Sequence, residues 1–131
     1  MEGVATKRQF RRDLVVELAV ASLAYLALSI AGTWNAWTQG WREVTANPFG
    51  DASQYEWGLG WVAHAIAHLE NPWYSSYLLH PLGINLLANP APVGISAIAA
   101  PLTWTFGPVG SMNLVLTLVP TFSALAMYVA V

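Results

Sequence analysis

The chain of 131 residues contains no cysteine. That excludes disulfides and thiolate metal sites, and it leaves the redox compartment undetermined. Charge is also scarce. Only 9% of the residues are Asp, Glu, Lys or Arg, where a soluble domain carries roughly 25%. With five basic residues against seven acidic ones, the net charge is −2, which argues against nucleic-acid binding, a function that normally shows a basic patch. No internal repeat and no low-complexity linker breaks the chain. What remains is 56% hydrophobic with mean hydropathy +0.47, the composition of a membrane protein. Seven tryptophans, most of them between residues 34 and 73, suit a segment at headgroup level, where amphipathic rings are favoured.

The apolar runs set the organisation. Residues 1–13 are polar and basic, with Lys7, Arg8, Arg11 and Arg12. The stretch LVVELAVASLAYLALSIAGTW, 14–34, follows with a single acid, Glu17. It is long enough to cross a bilayer at about 20 residues per span. A secretory signal would have a shorter apolar core, roughly 7–15 residues, and a small-residue cleavage site, so the reading is an uncleaved helix. Four of the five basic residues precede it and only Arg42 follows. The positive-inside bias therefore predicts a cytoplasmic N-terminus and a multi-pass protein of the cell membrane. Glu17, near the basic end, is expected to snorkel or to pair with a neighbour such as Arg12.

A second run, 109–131, is also long enough to span, with Pro120 as a tolerated kink. The chain stops on apolar residues, which predicts a longer protein. Between the two runs, 93–106 is apolar over only 14 residues and is interrupted by Pro101. That length favours an interfacial helix over a span. The predicted fold is thus all-α and integral to the membrane, with two transmembrane helices and three as the alternative. An extracytoplasmic loop, 35–108, carries interfacial helices over about 53–69 and 92–106.

The stretch GDASQYEWGLGWVAHAIAHLE, 50–70, concentrates the chemistry. On a helical wheel Tyr55, Leu59, Val62, Ile66 and Leu69 fall within about 80° of one another, and Gln54, Trp57, Trp61, His64 and His68 lie opposite. The aliphatic side suits lipid or a packed neighbour, and the Trp and His side faces something wetter. Asp51 directly precedes the helix, and with Gln54 it reads as a loose capping box. An acid fixed there is also well placed for chemistry. His64 and His68 stand at i and i+4, a spacing that can bind a metal, with His80, Asp51 or Glu70 as the third ligand. No Glu follows His64, so the zinc-protease motif is absent, and interfacial hydrogen bonding is the simpler role for these histidines. The segment from Glu70 holds Asn71-Pro72, His80-Pro81, Gly83 and Asn89-Pro90, which predicts an ordered loop outside the membrane. Its Trp73, Tyr74 and Tyr77 could stack on sugars or serve as an aromatic belt.

This order of features resembles the opening of the multi-spanning GT-C glycosyltransferases, and more closely the uncharacterised bacterial membrane proteins of that superfamily. The residues that carry the likeness are Asp51, Gln54, Trp57, Trp61, His64-Ala65, Asn71-Pro72, Pro81, Gly83, Asn85-Leu86, Pro101-Leu102-Thr103, Gly107-Pro108 and Asn113. The resemblance covers nearly the whole chain from about residue 14. It implies transfer of a sugar from a polyprenyl-phosphate donor on the outer side of the membrane. It implies Asp51 as catalytic base, with Gln54, Trp57, Trp61, His64, His68 and His80 as substrate contacts. Some members use a divalent metal; no metal ligand is assigned here, and no cofactor is implied with certainty. The usual acid pair of the family is Asp-Glu, whereas this chain has Asp51-Ala52, which leaves Glu56 and Glu70 as candidates for the second carboxylate. A base must reach its proton directly or through one water, and a phosphate leaving group needs cationic or N–H partners. Beyond the N-terminus only Arg42 is available, so the implied partners are the bilayer, the lipid-linked sugar and further membrane segments or subunits. Two other readings compete: a small polytopic membrane protein acting as a non-catalytic subunit, and a transporter or metal-handling fragment using His64, His68 and His80.

Overall fold

The structure, a computed structural model, describes residues 2–42, 51–88 and 92–130, with side chains described for Gln9 and from Arg12 onward. The Asn89-Pro90 turn and the side chains of Lys7, Arg8 and Arg11 lie outside the described residues. The fold is mostly helical: α1 (Glu2–Gly32), α2 (Trp34–Thr38), α3 (Ala52–His68) and α4 (Val93–Ala130). A two-stranded antiparallel ribbon, β1 (Tyr74–Ser75) with β2 (Ile84–Asn85), interrupts the helices and is followed by a 3-10 turn, Leu86–Ala88. Tyr74 pairs with Asn85 and Ser75 with Ile84. The loop expected from its prolines thus contains a small hairpin that its composition does not signal.

Two helices are long and apolar enough to cross a membrane, Arg12–Gly32 and Val93–Ala130. The residues expected as a polar tail are the first turns of α1, which begins at Glu2 and runs 31 residues. Along it Val20, Leu23 and Leu28 are 62%, 67% and 69% exposed. Water would penalise so much aliphatic surface on one helix, which points to a membrane location.

Within α4, Gly107 breaks the helix, with φ 78° and ψ 170°. That conformation suits a residue without a Cβ. Pro108 follows, and a proline is at ease at the first position of a helix because its missing N–H would find no partner there. Gly-Pro therefore ends one helical segment, 93–106, and starts another. Across the break Thr103 donates to Ser111 Oγ at 2.9 Å, in a buried contact.

The chain forms two compact units, Met1–Gly32 with Thr117–Val131, and Thr33–Leu116. In the first, α1 meets the end of α4 through polar contacts. Thr121 donates to Ser29 at 3.0 Å. Tyr128 donates to Glu17 Oε1, so the acid inside the first apolar helix takes a tyrosine hydroxyl as its partner.

The second unit is organised around α3. Leu59 packs with Ala99 and Met112, while Trp61, Val62 and Ala65 pack with Leu86 and Val93. The wheel's division does not hold. Trp61, assigned to the wet face, is only 7% exposed, whereas Leu69 on the aliphatic face is 95% exposed. The reason is that α3 is covered from two directions, by α4 and by the ribbon with its 3-10 turn. The Trp61 indole N–H donates to the Pro72 carbonyl at 3.1 Å, and Trp104 donates to Ala63 O at 3.0 Å. Both indoles thus satisfy their one polar group, Trp61 while buried and Trp104 while largely exposed.

The capping box is also corrected. Asp51 occupies the position before α3, but its side chain caps no N–H. With φ −83° and ψ 7°, it lies close to the helical basin and outside the extended region from which an N-cap side chain folds back. Its carbonyl accepts the first bond of the helix, from Tyr55 N–H. At the other end the chain leaves α3 through Leu69 in the left-handed conformation, φ 57°. Leu69 N–H bonds Ile66 O and Glu70 N–H bonds Ala65 O, the pair of bonds of a Schellman motif, here with leucine in place of the usual glycine.

Candidate functional site

Beside α3 lies a groove of about 370 Å³ lined by Ser53, Glu56, Trp57, Gly60, Trp61, His64, Tyr77, Pro108 and Val109. Its shape follows from the sequence spacing. Residues 53, 56, 57, 60, 61 and 64 recur at three and four, so they share one side of α3. Gly60 lets α4 come close: a Cβ there would stand 3.1 Å from the Pro108 ring. Pro108 and Val109 therefore form the opposite wall, directly after the Gly107 break. Tyr77 arrives from the loop after β1, which the Trp61–Pro72 bond holds against α3.

The groove is predominantly aromatic. Trp57 and Trp61 are stacked with centroids 6.0 Å apart and planes within 4°. Tyr77 tilts against Trp61 at 5.5 Å and meets the edge of His64 at 5.7 Å. His64 stacks on His68 at 4.0 Å, and His64 Nε2 lies 3.9 Å from Glu70 Oε2. His68 Nδ1 is 2.9 Å from the His64 carbonyl. One oxygen of Glu56, Oε1, is buried without a hydrogen-bond partner among the described residues. Such a surface offers flat apolar faces together with a carboxyl acceptor.

The sequence-predicted residues separate into two groups. Trp57, Trp61 and His64 converge on the groove. His68 touches it only through His64, and Gln54 and His80 do not line it. Asp51 is exposed and stands two residues before Ser53, outside the lining. Of the alternative carboxylates, Glu56 lines the groove and Glu70 faces His64. Among the described residues no three His, Asp or Glu side chains gather as a metal would need. The i, i+4 histidines are stacked ring on ring, with His64 Nε2 3.9 Å from Glu70 and His68 Nδ1 2.9 Å from the His64 carbonyl. Tyr77 is one of the loop aromatics expected to stack on sugars or form a belt, and Pro108 carries part of the resemblance, whereas Ser53, Gly60 and Val109 are not singled out by the sequence. The Gly-Pro break at the start of the second apolar run is the signal that could have indicated Val109.

A second aromatic cluster surrounds Arg42. Trp37 stacks on Trp41, Trp41 meets Phe106, and the guanidinium lies 5.3 Å from the Trp41 ring and 5.2 Å from Phe106. Asn113 donates to the Trp41 carbonyl at 2.8 Å, which fixes this turn against α4.

No protein-family model, no curated protein and no solved structure matches the chain.

Proposed function

We propose that these residues supply the first outer loop and its flanking helices to a membrane glycosyltransferase of the GT-C type. The enzyme transfers a sugar from a polyprenyl-phosphate donor on the outer side of the cell membrane. In this reading the N-terminus is cytoplasmic, as the basic residues before the first apolar helix suggest, and the chain crosses the membrane more than once. The observation that carries the proposal is the groove. Two stacked, nearly parallel indoles, of which Trp57 is the more exposed, with a tyrosine and a carboxyl form a surface suited to one sugar ring, whose C–H face stacks on aromatics while its hydroxyls donate to oxygen. A volume of 370 Å³ lies at the small end of ligand pockets, roughly 300–1,000 Å³. Asp51, at the exposed start of α3 and outside the groove lining, is the candidate base. The Arg42 guanidinium, set over two rings, is the candidate partner for a phosphate.

The test is binding by the purified chain in phosphatidylglycerol nanodiscs, with radiolabelled farnesyl-phosphate-linked glucose as probe. Saturable retention is expected, weakened about tenfold by Trp57→Ala. Retention no better than that of farnesyl phosphate without a sugar would dismiss the sugar site. In a preparation that transfers sugar, Asp51→Asn stops transfer and leaves binding in place. Unchanged transfer would remove Asp51 from the chemistry and favour the subunit reading, which the position of Asp51 outside the groove lining also supports.

A further inference from the structure

Glu56 is hard to explain as a structural residue. Its Oε1 is buried and accepts no hydrogen bond among the described residues, yet the side chain lines a groove wide enough for a ligand. Buried acceptors in native proteins are nearly always paired, and an orphan is a mark of strain or of an absent ligand. Glu56 as a whole is only half-buried, so its carboxyl borders the groove although Oε1 itself is covered. No Lys or Arg is among the residues that line it. His64, the nearest basic side chain there, is directed at Glu70, 3.9 Å away. The groove thus has an acceptor and aromatic faces but no cation of its own.

We infer that the groove selects a sugar bearing an ammonium group, received by the Glu56 carboxylate against the Trp57 and Trp61 rings. This rests on the sugar reading above and adds the charge of the substrate to it. A hydroxyl would satisfy Glu56 through an ordinary hydrogen bond. An ammonium would make a charge-assisted one, which is shorter and roughly twice as strong, and would also be attracted to the indole faces. A neutral sugar also meets both features of the groove, but the cation gains more from each. Glu56 and Trp57 are neighbours in sequence and Trp61 lies one turn on, so carboxyl and rings are held by a single helix and need no rearrangement to act together.

The experiment compares farnesyl-phosphate-linked glucose, glucosamine and N-acetylglucosamine on the wild-type chain in phosphatidylglycerol nanodiscs, whose headgroups carry no ammonium. Glucosamine is expected to bind about tenfold more tightly than glucose. N-acetylation, which removes the charge and keeps the ring, is expected to abolish that advantage without any change to the protein. Glu56→Gln is expected to bring glucosamine down to the level of glucose. Equal affinity for glucose and glucosamine would overturn the inference and leave the sugar site standing, and so would a preference that survives in Glu56→Gln. Failure of all three sugars to bind would remove the sugar site and this inference with it. Glycerophosphoethanolamine matching the glucosamine lipid in affinity would make the ligand a phospholipid headgroup and overturn the assignment to an aminosugar.

Discussion

Trp57 and Trp61 show how one residue type, one turn apart, divides its labour. Trp57 is half-buried and presents a face to the groove. Trp61 is nearly covered, packs on Leu86 and Val93, and ties the following loop to α3 through the Pro72 carbonyl. Trp61→Ala is therefore expected to cost about 3 kcal/mol of stability, measured as a lower denaturation midpoint in detergent. Loss of ligand binding without that shift would mean that Trp61 acts only as a ligand surface. The three- and four-residue spacing of 57, 61 and 64 makes their common side legible in the sequence. Tyr77 is not legible as a groove residue, because it is brought in by a loop whose path depends on a bond to a backbone carbonyl. Asp51 has the residue identity of a cap and not its geometry, because capping depends on a backbone dihedral that identity does not specify. Glu56 is one carboxylate among several in the sequence, and only its surroundings in the fold distinguish it.

At the scale of elements, α3 ends on a strained note. Leu69 holds a left-handed conformation that costs a branched side chain roughly 1 kcal/mol or more, and its side chain is almost entirely exposed, so packing returns little. Leu69→Gly is expected to raise stability by about 1 kcal/mol, seen as a higher melting temperature. A fall would show that the leucine is covered in the membrane. The helix boundaries themselves are close to readable. The lengths of the apolar runs give 93–106 and 109–131, and α4 breaks between them at Gly107, since run length is a local signal. The β1–β2 ribbon is not readable, because two-residue strands leave no period to detect. Nor is the two-sided burial of α3, since a wheel shows which residues share a face but not how many faces a neighbour covers.

For the whole molecule, the decisive property is apolar surface. Two helices satisfy the length and composition of a membrane crossing, and α1 leaves large aliphatic side chains uncovered along its length. The absence of cysteine makes the orientation directly testable, because any introduced thiol is the only one. In intact cells, Ser76→Cys is expected to react with an impermeant maleimide, and Gln9→Cys only after the membrane is opened. The reverse pattern would invert the topology and place the groove on the cytoplasmic side, away from any outer-leaflet sugar transfer. Composition and basic-residue bias carry this expectation, because both are sums over many residues and do not depend on packing detail.

The break at Gly107 has a consequence for how the groove could respond to its surroundings. One jaw of the groove is α3 and the other is Pro108 with Val109, immediately past a joint braced by the Thr103–Ser111 hydroxyl pair and by Trp41, which meets Phe106 before the break and Asn113 after it. Gly60 faces Pro108, so a side chain at position 60 would meet the proline ring and press the two walls apart. The groove's response to its surroundings therefore runs through the angle of this joint, which sets how far Pro108 stands from α3.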